Sequence, residues 1–282
     1  MKALFTHVLR GVVLWFVLMI GQVLGGLLVF RHAPAAVVDG PFSAGLVLLI
    51  VGALDAAILT LLAAALRFRG WRLGLELAVA LFTVQSLLSL IEALVFGRDV
   101  HLAVGVLVGA ALASLIRSSL AGLAIAALWR RGSGVDLRPS LLSGLVWKFP
   151  LIAAIYIACY LLAGGLIAWR STAVRAFYGG APQFDLGTLI AVQFGRGLIW
   201  AGLTWMLVRA LTPPTWRAAL LVGLAFSGLM APQLLYPNPA MPWAVRSVHL
   251  VELGLSNMVF GIFAALVMLA SASSARRPVR VR

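Results

Sequence analysis

A small set of polar side chains in this sequence stands where apolar residues are the rule, and their spacing groups them. Gln193, Arg196, Trp200 and Thr204 follow i, i+3, i+7, i+11, one stripe along a helix. Arg246, His249, Glu252, Ser256 and Phe260 form a second stripe, with Asn257 beside it. Gln85, Ser89 and Glu92 make a third, and Ser114, Arg117 and Ser118 a fourth. Asp55 stands alone among Leu, Ala and Val. Carboxylates and guanidiniums gathered in this way form ion pairs, hold a proton or cation, or line a path for a polar solute. Asp55, Glu92 and Glu252 face Arg117 and Arg196, which leaves one carboxylate in excess. That carboxylate is expected to be protonated, to pair with His249, or to bind a proton or cation. His249 and Glu252 also read H-x-x-E, which puts two potential metal ligands on one helical face. A metal would need a third ligand at the same depth, from His101 or Glu92. No metal or other cofactor is expected.

These residues are out of place because of their surroundings. Of 282 residues, 63% are hydrophobic and 11% charged, against roughly 25% charged in an ordinary soluble domain. Too few polar side chains are present to cover a water-exposed surface. A soluble enzyme, a disordered tail and a secreted disulfide scaffold are excluded, the last also because Cys159 is the one cysteine. The net charge of +14 needs no nucleic-acid partner, because basic residues collect at the cytoplasmic ends of membrane spans.

The predicted fold is all-α, a polytopic membrane bundle of eight transmembrane helices. The apolar runs cover about 8–30, 43–66, 73–96, 102–129, 149–169, 186–211, 215–235 and 243–271, each near the ~20 residues that cross a bilayer. No steady alternation marks them as barrel strands. The first run is too long for a signal-peptide core and is expected to be a retained span. With eight crossings both termini share one side. Placing them in the cytoplasm puts fifteen basic residues there, including the tail 272–282, and five opposite. That asymmetry predicts cytoplasmic termini in a bacterial cytoplasmic (inner) membrane.

The halves 1–140 and 141–282 are predicted to be parallel four-helix repeats. Gly25-Gly26-Leu27-Leu28-Val29-Phe30-Arg31 parallels Gly164-Gly165-Leu166-Ile167-Ala168-Trp169-Arg170, and Trp71-Arg72 parallels Trp216-Arg217. Such a repeat relates its halves by an axis along the membrane normal. The loops bring a further resemblance. Phe177-Tyr178-Gly179-Gly180, with the run from Tyr236 to Gly261 (YPNPAMPWAVRSVHLVELGLSNMVFG), resembles a group of uncharacterised bacterial multi-pass membrane proteins. It covers mainly residues 177–261 and implies membrane location but no activity and no site residues.

A charge at a helix centre costs about 2.5–3.5 kcal/mol on insertion scales, and one Leu returns only about 0.3–0.6. The ionisable residues must therefore face the bundle interior and meet one another. An Asp55–Arg196 pair is expected, with Arg117 meeting Glu92 or Glu252. The expected cluster is Asp55, Glu92, Arg117, Gln193, Arg196, His249, Glu252 and Asn257. The function expected is transport-related, for a small solute, ion or lipid. Two rivals stand beside it: a non-catalytic scaffold or accessory subunit with a membrane protein partner, favoured by the lack of any obvious broken helix, and an outer-facing metal-dependent enzyme. The expected partners are the lipid bilayer, a small solute or ion, and a membrane protein.

Overall fold

The computed structural model describes residues 2–29, 39–96, 104–130, 144–179, 185–238 and 241–270. His101, Arg31, Arg98, Gly180 and the tail 272–282 lie outside them. The protein is an all-helical bundle with eight helices long and apolar enough to cross a membrane, as the apolar runs require. In chain order the elements are α1 (Lys2–Val29), α2 (Ala44–Ala65), α3 (Gly70–Phe82), a π turn (Thr83–Leu87), α4 (Leu88–Phe96) and α5 (Val104–Leu128). They continue with α6 (Leu145–Leu166), a 3-10 turn (Ala168–Arg170), short α7 (Thr172–Phe177), α8 (Leu186–Val208), α9 (Thr215–Met230), a 3-10 turn (Ala231–Leu235) and α10 (Trp243–Leu269). The third span is thus α3, the π turn and α4 together; the seventh is α9 and its 3-10 extension.

Local chemistry starts and stops these helices. The Ser43 hydroxyl accepts from the Leu46 N–H at the start of α2, and the Asp185 carboxylate accepts from the Thr188 N–H at the start of α8. The Asp185 carboxyl is held below its usual range by those backbone and side-chain Thr188 contacts. Pro214 and Pro242 precede α9 and α10. The sixth span ends at Val208 rather than 211 because the chain there leaves the helix to pair with the end of α2. The Arg67 N–H donates to the Ala210 carbonyl at 2.9 Å and the Thr212 N–H donates to the Ala65 carbonyl at 3.0 Å. These two bonds form an antiparallel bridge between Leu66 and Leu211. Exchanging residues 145 positions apart turns one bond into the other.

Helix neighbours follow one pattern in each half. In the first, α1 packs on α2 and α5, and α3 packs on α5; in the second, α6 packs on α8 and α10, and α9 packs on α10. Across the halves α2 meets α9, while α3 and α4 meet α8. Small residues set the crossings. A Cβ at Gly197 would stand 2.6 Å from the Ala153 Cα, so α6 and α8 touch backbone to backbone there. A Cβ at Gly261 would stand 2.8 Å from the Gly223 Cα, fixing the approach of α9 to α10.

Packing is uneven along the bundle. Toward the Leu66–Leu211 bridge, Leu59, Leu62, Leu73, Leu77 and Leu207 are buried, and an aromatic group of Tyr156, Trp200, Phe226 and Phe260 fills mid-depth. Toward the opposite end, residues 89–96 of α4, 157–166 of α6 and 186–192 of α8 include no buried position. That end is closed instead by a knot around Arg246, which is 1% exposed. Its guanidinium donates to the Asp39 carboxylate (2.8 Å) and to the carbonyls of Asp39, Leu234, Asn238 and Met241. The Arg246 hydrogen bond and the Trp243 N–H hold the Asp39 carboxyl below its usual range.

The tight crossing gives a direct test. Gly197→Ala is expected to cost about 1–3 kcal/mol through overpacking, because backbone must move. Gly165→Ala, which meets nothing within 4 Å, is expected to be neutral. Thermal unfolding of both variants in one detergent checks the contrast.

Candidate functional site

The polar residues gather in three centres. The first joins α2, the π turn and α5. Asp55 is fully buried, and the Arg117 guanidinium donates to it at 2.5 Å. Gln85 bridges them: its amide nitrogen donates to both Asp55 oxygens at 3.0 Å, and its carbonyl oxygen accepts from Arg117. The wide i→i+5 turn at Thr83–Leu87 carries Gln85 here, a local geometry concentrated at functional positions. The same Gln85 amide reaches the Leu229 carbonyl at 3.0 Å. That carbonyl lies where α9 gives way to a 3-10 turn containing Pro232, which brings no N–H to the turn. Two irregular turns therefore face one buried ion pair. Half-buried Tyr236 stands at the edge of this centre, its hydroxyl buried without a hydrogen bond.

The second centre joins α4, α6 and α8. The Arg196 guanidinium donates to Glu92 at 2.5 Å and to the Gln193 carbonyl oxygen at 2.8 Å. The Gln193 amide and the Tyr160 hydroxyl each donate to Glu92 at 3.2 Å. The Tyr156 ring lies 5.7 Å from the guanidinium. Arg196 Nε is buried with no hydrogen bond. The Glu92 side chain is 31% exposed, whereas Asp55 is sealed. Charge at the second centre is therefore open to its surroundings.

The third centre is built by α10 and the short α7. His249 Nδ1 lies 2.6 Å from Glu252 and Nε2 lies 3.5 Å from the Tyr178 hydroxyl. Gly164 lies beside the Glu252 carboxylate, which would be in ordinary contact with a Cβ there at 3.7 Å. The helix α7 packs on α10 through Val174 and Val245 and brings Tyr178 over His249. Burial pushes the Tyr178 phenol up to about 12, helped by the negative charges of Glu92 and Glu252.

Gln193, Arg196, Trp200 and Thr204 are all buried, as are Asp55, Arg117, Glu252 and Asn257, whereas Ser89 of the third stripe is exposed. The partners differ from expectation. Asp55 pairs with Arg117, not Arg196, and Glu92 pairs with Arg196, so Arg117 meets neither Glu92 nor Glu252. The reason is helix placement. The chains of spans two and six join at the Leu66–Leu211 bridge, but α2 packs mainly on α1 and α9, and α8 on α6. Asp55 therefore turns toward α5. Asn257 lies apart from the ion pairs and donates to the Met230 sulfur at 3.2 Å.

Several buried polar groups escaped the sequence reading. Tyr156 and Tyr160 share a face at i, i+4, a signal that was there to read. Glu76 is buried 3.7 Å from Arg209. Lys148 is buried and donates to the Met268 carbonyl at 2.9 Å, serving the last turn of α10. Among the described residues no three His, Cys, Asp or Glu side chains are placed to share a metal ion. No protein-family model, curated protein or solved structure matches the chain.

Removing one partner of the sealed pair strands the other. Asp55→Ala and Arg117→Ala are each expected to destabilise by about 3–5 kcal/mol, and Asp55→Leu combined with Arg117→Met by much less. Chemical unfolding in detergent micelles measures all three.

Proposed function

We propose that this integral membrane protein is transport-related, and that it moves a small solute, ion or lipid past the Glu92–Arg196 and His249–Glu252 centres. The observation that carries this reading is the irregular turn inside the third span: the π turn Thr83–Leu87 delivers Gln85 to the buried Asp55–Arg117 pair, beside the 3-10 turn Ala231–Leu235 that ends the seventh span. π turns within helices are frequent at functional sites, which weighs against a plain scaffold.

The reading includes two parallel four-helix repeats. The shared pattern of helix neighbours supports it. The reading also includes a bacterial cytoplasmic membrane with cytoplasmic termini, supported by the excess of Lys and Arg at the bridge end.

Within the cluster the roles divide by charge and exposure. Asp55 and Arg117 balance and are sealed, which suits a pair that fixes helix positions. Glu92 and Glu252 share Arg196 and His249, and Glu92 is open. With a neutral imidazole this leaves one negative charge for a proton, a cation or a cationic group of a solute.

The test is a thermal-shift screen of solutes and ions on purified protein, followed by proteoliposome uptake of each stabilising compound. Uptake is expected to fall by about tenfold or more, the effect of losing one charged contact, in Glu252→Gln and in Glu92→Gln, each compared at equal folded fraction because Glu92→Gln leaves buried Arg196 without its carboxylate. Uptake that persists in both variants contradicts the proposal.

A further inference from the structure

Two helices begin at the bridge end with the same pair, an exposed Trp followed by an exposed Arg: Trp71-Arg72 on α3 and Trp216-Arg217 on α9. In each the guanidinium lies over the neighbouring indole, 5.7 Å from the ring centroid at Arg72 and 4.9 Å at Arg217. That contact uses the face of the guanidinium and leaves its N–H donors, which lie in its plane, unserved. Among the described residues neither Arg meets a carboxylate or a carbonyl. Glu76 is the one described carboxylate at this end, and Arg209 faces it at 3.7 Å. Trp147-Lys148, at the start of α6, shows the contrast: Lys148 is fully buried, and its ammonium donates to the Met268 carbonyl.

Below each exposed Arg the helix face is apolar and open. Leu75 and Val79 follow Arg72 at i+3 and i+7, and Leu220 and Leu224 follow Arg217 at the same spacing. All four are exposed, and the spacing sets them on one helical face with their Arg. The two helices open the spans Gly70–Phe96 and Thr215–Leu235. Arg72 and Arg217 therefore stand in the first turn, at the edge of the hydrocarbon, and the exposed indoles hold that depth. A cation at headgroup depth with an apolar strip leading into the bilayer matches a phospholipid, phosphate at the top and acyl chain along the strip. Charge left unbalanced at this end favours a lipid of net negative charge over a zwitterionic one.

We propose that Arg72 and Arg217 each bind the headgroup phosphate of an anionic phospholipid, whose chain lies along Leu75 and Val79 or along Leu220 and Leu224. Bidentate contact with phosphate oxygens suits the free donors of a guanidinium. These two lipid sites stand apart from the transport reading and do not depend on it.

The test is native mass spectrometry of detergent-purified protein mixed with equal amounts of phosphatidylglycerol and phosphatidylcholine, which counts retained lipids by mass. Two phosphatidylglycerols per chain are expected, preferred over phosphatidylcholine by about fivefold or more, the fold-change that one basic residue near an anionic surface supplies. Arg72→Gln and Arg217→Gln should each remove one retained lipid, and the double variant both. Arg69→Gln removes a charge from the same end, but the Arg69 donors already serve the Leu66 and Phe68 carbonyls, so both lipids should stay. Should either Gln variant at Arg72 or Arg217 fail to fold, Leu75→Asn or Leu220→Asn interrupts the corresponding strip and is expected to lower retention in its place. Inorganic phosphate in millimolar excess is expected to leave both lipids bound; displacement by it would assign the sites to the free ion and overturn the proposal. Equal retention of phosphatidylcholine, a loss in Arg69→Gln as large as in Arg72→Gln, or two lipids retained by the double variant also overturns it.

Discussion

A guanidinium inside a bilayer must meet a carboxylate from another helix, and this requirement decides which helices of the bundle sit together. Each pair ties distinct segments. Arg117–Asp55 joins α5 to α2, Arg196–Glu92 joins α8 to α4, Arg209–Glu76 joins α8 to α3, and Arg246–Asp39 joins α10 to the chain before α2. The last three cross from one half of the chain to the other. A buried ion pair adds little net stability over a well-packed apolar pair, yet a mispaired arrangement would strand charge. These contacts therefore select one arrangement among many that Leu- and Ala-rich helices could pack into.

Helix neighbours follow one pattern in the two halves of the chain, and the polar side chains do not. By the bridge offset of 145, the position matching Asp55 is Trp200, the middle of the aromatic group with Phe226 and Phe260. One half carries an ion pair where the other carries packed rings. Glu92, Arg196, His249 and Glu252 lie toward the end where residues 89–96, 157–166 and 186–192 include no buried position. A densely packed end thus supports an open and charged one.

Much of this was legible in the sequence, and the rest was not for a physical reason. Span number and extent follow from transfer free energy, a property summed over neighbours in the chain, so the eight apolar runs match eight helices. The inward faces of α8 and α10 follow from helical spacing, also local. Partner choice depends on the relative axial position of separate helices, which no local pattern carries. Pairing Asp55 with Arg196 rested on their opposite charges and nearly equivalent places in the two halves, which leave open the direction each side chain faces; Asp55 faces α5 and Arg196 faces α4. The π turn that delivers Gln85 and the Asp39 knot around Arg246 arise from tertiary contacts and leave no mark in composition.

The pairing of charges is tested most directly by double-mutant cycles on unfolding free energy, with Asp55, Arg117, Glu92 and Arg196 each neutralised singly and in pairs. Coupling of about 1–3 kcal/mol is expected for Asp55 with Arg117 and for Glu92 with Arg196, and within about 0.5 kcal/mol of zero for Asp55 with Arg196. Strong coupling between Asp55 and Arg196, or none in the two adjacent pairs, would contradict the arrangement on which the account depends.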